Sequence, residues 1–319
     1  MTVGNATRVA CRTLTALTVG AGACSLRAQP SARRVVGSIV GTFSRGWYVR
    51  SGSDLIAIGT IPSGPLHVTV TTDVASTQGH IAPGMGVTVG PGGVGLGPVL
   101  IDLADAVDWS PPIPTEHEID RLARWMASVD IDGLIGDDLT DVWPEVRTMA
   151  PRCAADQAFE LRRIVNRLEG RGIGLTPTGD DVIAGMLLVD AWRRPDTDAE
   201  THRLRLAGGA RTSDLSRAFL KWAALGQSIE PVHQLVGAAN VDAGGTFPSA
   251  LAAVAGIGAS SGRALLAGMA IGLAAASPLQ AGEASVLLEA GPEFTRQPGD
   301  QASRRDAREV SRGHLGDEE

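Results

Sequence analysis

Between residues 35 and 110 the apolar positions come in short, β-branched runs interrupted every few residues by polar or turn-forming ones. The runs "VVGSIVGTF", "WYV", "LIAIG", "LHVTVTT" and "GPVLIDL" are bounded by Gly, Pro, Ser and Asp, a pattern that predicts strands joined by turns. Between them "APGMGVTVGPGGVGLGP" (82–98) is so rich in glycine that a plain connecting loop is expected rather than regular structure. It opens no helix, so it lacks the form of a phosphate cradle. Upstream, "RVACRTLTALTVGAGACSL" (8–26) loosely resembles a lipoprotein leader, but its threonines and glycines favour a first helix or strand of the fold.

After "SPPIP" (110–114) the spacing of apolar residues becomes helical. Thr115 and Glu118 form a T-x-x-E capping box ahead of "IDRLARWMASV". A helix over roughly 153–169 places Phe159, Ile164, Val165 and Leu168 on one face, and Gly170, Gly172 and Gly174 end it. Further helices are predicted near 178–193, 213–227, 231–240, 247–257 and 261–276. From about Phe294 almost no apolar residue remains, and a disordered tail is expected. The chain therefore reads as α+β, with a β-rich N-terminal half followed by a mainly helical C-terminal half. The expected divisions are an N-terminal segment (1–29), a β-rich subdomain (30–112), a helical subdomain (113–293) and a tail (294–319).

Composition narrows the function classes. With 319 residues, 44% hydrophobic and 20% charged, the chain can bury a sizeable core. A net charge of −7 argues against nucleic acid, whose phosphates need a basic face. No apolar run approaches the roughly twenty residues that span a bilayer, so no membrane partner is expected. Lys221 is the only lysine, which excludes a phosphate loop of the lysine type and leaves one candidate for a Schiff base. Cys11, Cys24 and Cys153 are scattered without C-x-x-C spacing, which fits a reducing cytoplasm better than a disulfide framework. The histidines at 67, 80, 117, 202, 233 and 315 are isolated, and structural or exposed roles are expected for them.

Two runs carry candidate chemistry. In "GIGLTPTGDDVIAGMLLVDAW" (172–192) Thr178 is the expected N-cap of a helix apolar on nearly every side, hence buried. Asp181 at the third helical position can return to the Thr178 backbone as a capping partner. Asp180, about 100° around the helix, cannot share a proton with it and is left facing the glycine-rich turn, as a catalytic group or as a structural one. The second run, "GIGASSGRALLAGMAIGL" (256–273), starts a helix at Ser260 or Ser261, with Gly262 and Arg263 in the first turn. Free N–H groups, two hydroxyls and a guanidinium suit an anion, although a serine cap beside a surface arginine explains the same residues. Gly268 and Gly272 allow close helix packing. The acidic turn suits an amide N–H or Mg²⁺ at Asp180, and the serine turn a phosphate or carboxylate.

"GLTPTGDDVIAGMLL" resembles the G-L-T-P-[ST]-G-D-D-x-x-x-G signature of a family whose characterised relatives are the H-type (AllH-like) subunit of oxamate carbamoyltransferase. "GASSGRALLAG", "TSDLSRAFLKWAALGQ" and "GPVLIDLADAVDW" are similar in type to other elements of that family, and the likeness covers roughly residues 30–280. Ala264 and Ala259 stand where the family often has an acidic residue and a histidine. The resemblance implies one subunit of a multi-component cytoplasmic transferase of allantoin catabolism. Carbamoyl phosphate, an oxamate-like acid and other subunits would be its partners. Within that reading Asp180 is the expected catalytic residue, and Thr176, Thr178, Gly179, Asp181, Ser260, Ser261, Gly262 and Arg263 are expected to bind substrate. The alternative is a non-catalytic scaffold or small-anion-binding effector subunit.

Overall fold

The β-branched runs form a nine-stranded sheet: β1 (Arg12–Gly20), β2 (Arg34–Phe43), β3 (Gly46–Ser51), β4 (Asp54–Gly59), β5 (His67–Val70), β6 (Gly86–Gly90), β7 (Gly93–Leu96), β8 (Val99–Asp102) and β9 (Val107–Trp109). The computed structural model describes residues 12–27, 33–52, 54–71, 74, 79–135, 137–149, 157–241 and 245–275. Strand order is β5-β4-β3-β2-β6-β7-β8-β1, and β1 pairs back onto β5, so eight strands close a barrel and β9 extends it beside β1. The register of β1 shifts between Ala16 and Thr18, where the strand passes from its parallel partner β8 to its antiparallel partner β5. Period-two alternation turns Leu14, Ile39, Trp47, Val49, Ile56, Ile58, Val87, Val94 and Ile101 into one core. A 3-10 segment, Ala21–Arg27, adds Ala23 and Leu26 to it. The first helix or strand expected within 8–26 is a strand, β1, and it closes the barrel.

The glycine-rich run 82–98 is not a plain loop: it supplies β6, β7 and their tight connection. Val87, Val89, Val94 and Leu96 alternate into the core. Glycine is needed here for close approach of neighbouring backbone. A Cβ at Gly93, whose φ is +117°, would lie 2.0 Å from the Ile101 carbonyl oxygen.

The second half contains α1 (Glu116–Met126), α2 (Ile131–Leu134), α3 (Trp143–Met149), α4 (Gln157–Leu168), α5 (Thr178–Arg193), α6 (Thr197–Gly209), α7 (Asp214–Ala224), α8 (Glu230–Ala239), α9 (Thr246–Ala255) and α10 (Ser261–Ala275). The Thr115–Glu118 capping box forms at the start of α1. Helix α6 was not expected, because its sequence is polar with a weak apolar stripe. It is held instead by buried Arg203, which donates to Asp190 Oδ2 at 3.1 Å and to the carbonyls of Ala224 and Arg194 at 3.0 and 2.9 Å.

Helices α5 and α10 form the centre of the helical core. Their backbones nearly touch: a Cβ at Gly268 would lie 2.0 Å from the Val182 carbonyl oxygen, and one at Gly185 2.2 Å from that of Leu265. The close packing expected of Gly268 is therefore present. Barrel and helices are joined by Arg50 Nη2 to Asp214 Oδ2 at 2.8 Å and by a reciprocal pair between Ser63 and Glu230. The edge of the Trp109 ring also meets His233. No helix among the described residues is long and apolar enough to cross a membrane. The expected tail, Cys11 and Cys153 lie outside the described residues, and Cys24 is a free thiol.

Candidate active site at the paired helix starts

The turn before α5 is built on Gly170, Gly172 and Gly174, all at positive φ. Pro177, not Thr178, is the N-cap, and its carbonyl accepts from the Asp181 N–H at 3.2 Å. This shift of one position has chemical consequences. Asp180, rather than Asp181, therefore occupies the third helical position; the cap residue Pro177 offers it no N–H, and no side-chain cap bond forms at this helix start. Asp180 is buried, with Oδ1 accepting from the Gly170 N–H at 2.8 Å and Oδ2 accepting from the Thr212 hydroxyl. It does not face the opening of the turn. Both of its oxygens are committed to fastening neighbouring segments.

Asp181 is the residue that faces the second motif. The two turns meet directly: Thr176 Oγ1 lies 3.1 Å from Ser261 Oγ, and Thr178 Oγ1 lies 3.5 Å from Ser260 Oγ. The Asp181 carboxyl sits beside this hydroxyl cluster, with Oδ2 buried and without a hydrogen-bond partner. Burial pushes this carboxyl up to about 8. The Ser261 and Thr176 hydroxyls pull it down, and the charge of Asp180 adds to the rise. The protonated form that burial favours can donate one hydrogen bond and accept another.

The remaining expected residues are arranged differently. The Gly262 N–H donates to the Ile257 carbonyl at 3.0 Å, and the Gly179 N–H to that of Arg171 at 2.8 Å, so neither amide is open to an anion. Both glycines instead admit neighbouring backbone: a Cβ at Gly262 would lie 1.8 Å from the Val254 carbonyl oxygen, and one at Gly179 2.0 Å from that of Leu168. Arg263 is half-buried and turns back to the Ala259 carbonyl at 3.1 Å. Ala264 is fully buried in the core. Among the described residues no group of three or more His, Cys, Asp and Glu could hold a metal.

One residue is added by the barrel. Tyr48 on β3 is held above its ordinary value first by burial and then by the charge of Asp181, which places the phenol in the electrostatic range of that carboxyl. Nothing in the local sequence marks it except that it is the only tyrosine in the chain.

The fold and these turns define a barrel-and-helix protein with a polar site between two buried helix starts. The family model "oxamate carbamoyltransferase subunit AllH" matches residues 168–273, from the end of α4 through α10, a span that contains both motif turns. The resemblance read from the GDD and SSGR runs is thus shown, and this segment is AllH-like. No curated protein and no solved structure matches the chain.

Proposed function

We propose that the chain is a subunit of an oxamate carbamoyltransferase-like enzyme and that Asp181 is its substrate-facing acid. The observation that carries this reading is the buried, unpartnered Oδ2 of Asp181 at the junction of the two motif turns, inside the segment matched by the AllH model.

A neutral carboxylic acid is complementary to a primary amide. Its O–H donates to the amide oxygen while its carbonyl oxygen accepts an amide N–H, in a cyclic pair of hydrogen bonds. Moving both protons along that pair leaves Asp181 neutral and gives the amide nitrogen a free electron pair. That nitrogen attacks the carbamoyl carbon, and the C–N bond forms as the C–O bond to phosphate breaks. Phosphate leaves with the bonding electrons and takes up the proton that the imidic hydroxyl gives up as the amide carbonyl re-forms. Thr176, Ser260 and Ser261 offer hydroxyls to the carboxylate of the amido acid or to the phosphate, and buried Thr178 backs Ser260. Ile173 and Leu175, 81% and 61% exposed on the same turn, suit cover by another subunit.

The test is reconstitution with the partner subunits and measurement of oxamate-dependent phosphate release from carbamoyl phosphate. Asp181→Asn keeps a donor and an acceptor but cannot pass a proton, so kcat is expected to fall by about 10²-fold or more with KM little changed. Activity that persists when this chain is omitted assigns the chemistry to the partners. In that case the chain is a scaffold or effector-binding subunit.

A further inference from the structure

Helix α7 begins with three residues that each reach a different part of the molecule. The Thr212 hydroxyl donates to Asp180, the Ser213 hydroxyl donates to the Leu175 carbonyl at 3.1 Å, and Asp214 accepts from Arg50 of β3 at 2.8 Å. Arg217 steadies this bracket by donating to the Thr212 carbonyl at 2.7 Å and to Asp214. Consecutive residues thus tie the GDD turn to one barrel strand. On that strand Trp47 and Val49 point into the barrel, so Tyr48 and Arg50 share its outer face. The Tyr48 ring rests on Phe43, with centroids 4.8 Å apart, and opposite Gly41 in the register of β2 and β3. The arginine that docks β3 onto the bracket is therefore the same-face neighbour of the phenol.

We infer that Tyr48 is the barrel's wall of the Asp181 site, a ligand-binding residue held in place by the Thr212–Ser213–Asp214 bracket. The inference rests on reading the Asp181 cleft as the ligand site. The phenol adds a flat face and an O–H donor opposite a carboxylic acid, a combination suited to a small planar amido acid. The groups facing Asp181 are Asp180 on its own helix, Thr176 on the preceding turn, Ser261 on α10 and Tyr48 on β3. Arg263 is engaged with the Ala259 carbonyl and is not among the groups that act on Asp181.

With one tyrosine in the chain, ultraviolet difference absorbance of the phenolate reports Tyr48 alone. At the pH where the phenol ionises, Asp181 is already charged. Asp181→Asn should therefore lower the Tyr48 midpoint towards its ordinary value, with far-ultraviolet circular dichroism confirming that the fold is intact at that pH. Tyr48→Phe should weaken binding of oxamate, or of inorganic phosphate used as a second probe, about tenfold without a change in Tm. A phenolate titration blind to Asp181→Asn overturns the inference, as does undiminished binding of both probes to Tyr48→Phe. If neither probe binds wild-type protein, the functional reading fails, while the shift caused by Asp181→Asn still supports or overturns the placement of Tyr48.

Discussion

The Thr212 hydroxyl is hydrogen-bonded to Asp180 across 32 residues of chain, and this contact separates the roles of two adjacent aspartates. With the Gly170 N–H on its other oxygen, Asp180 fastens the turn before α5 to the start of α7. Asp181, one residue on, keeps a buried oxygen with no partner. Both oxygens of Asp180, the residue expected to face substrate, are engaged, while one oxygen of Asp181, the expected cap, is left unpartnered.

Asp180→Ala should consequently act on stability. It strands a backbone N–H and a hydroxyl inside the protein, at a cost of about 2–4 kcal/mol. The unfolding midpoint in guanidinium measures this, and a midpoint equal to wild type would show that the clamp contributes nothing.

Asp181 sets a pH dependence of the opposite sign to an ordinary buried ion pair. Its folded value of about 8 lies above its unfolded value, so the native state holds a proton that the unfolded state releases. Its contribution is fully present below the unfolded carboxyl range and is lost as pH rises towards 8. Relative to Asp181→Asn, wild-type stability should fall between roughly pH 4 and pH 8 by an amount on the order of a few kcal/mol, and then level off. Denaturant unfolding of both proteins at pH 5, 7 and 9 checks this; a constant difference would mean that the carboxyl titrates normally.

Two glycines of similar helical context should respond in opposite directions. Gly268→Ala drives a methyl into the Val182 carbonyl and separates α5 from α10, at a cost of about 1–3 kcal/mol or more. Gly237 on α8 has open space around it, so Gly237→Ala should stabilise by up to about 1 kcal/mol. Thermal unfolding of the two variants compares them directly.

Arg263→Ala tests the anion reading of the second turn. The side chain makes a hydrogen bond to the Ala259 carbonyl, so ligand-free stability should change by no more than about 0.5 kcal/mol. Phosphate or oxamate should stabilise wild type by about 2.7 kcal/mol at a hundredfold excess over Kd, and the variant much less. Equal ligand shifts at fixed ionic strength would leave Arg263 as a surface residue.

What the sequence determined by itself was local. The β-branched runs, the Thr115–Glu118 capping box, the helix starting near 178 and the helix starting near 261 follow from short-range spacing and capping chemistry, and they stand in the structure. That both motif helices are buried was also legible, because they are apolar on nearly every side; their starts meet because α5 packs closely on α10. Tertiary structure decided the rest. Residues 82–98 became strands because the glycines that weaken them in isolation let adjacent backbones close a barrel. Helix α6 formed around a buried arginine whose partners come from α5, α7 and the connection after α5. Which aspartate is fastened depended on Thr212 and on the Gly170 N–H, and Tyr48 comes within the electrostatic range of Asp181 through a strand distant in sequence. Periodicity reports which side of an element is buried. It carries no information about which distant side chain completes a hydrogen bond, and that pairing is what assigns chemistry at this site.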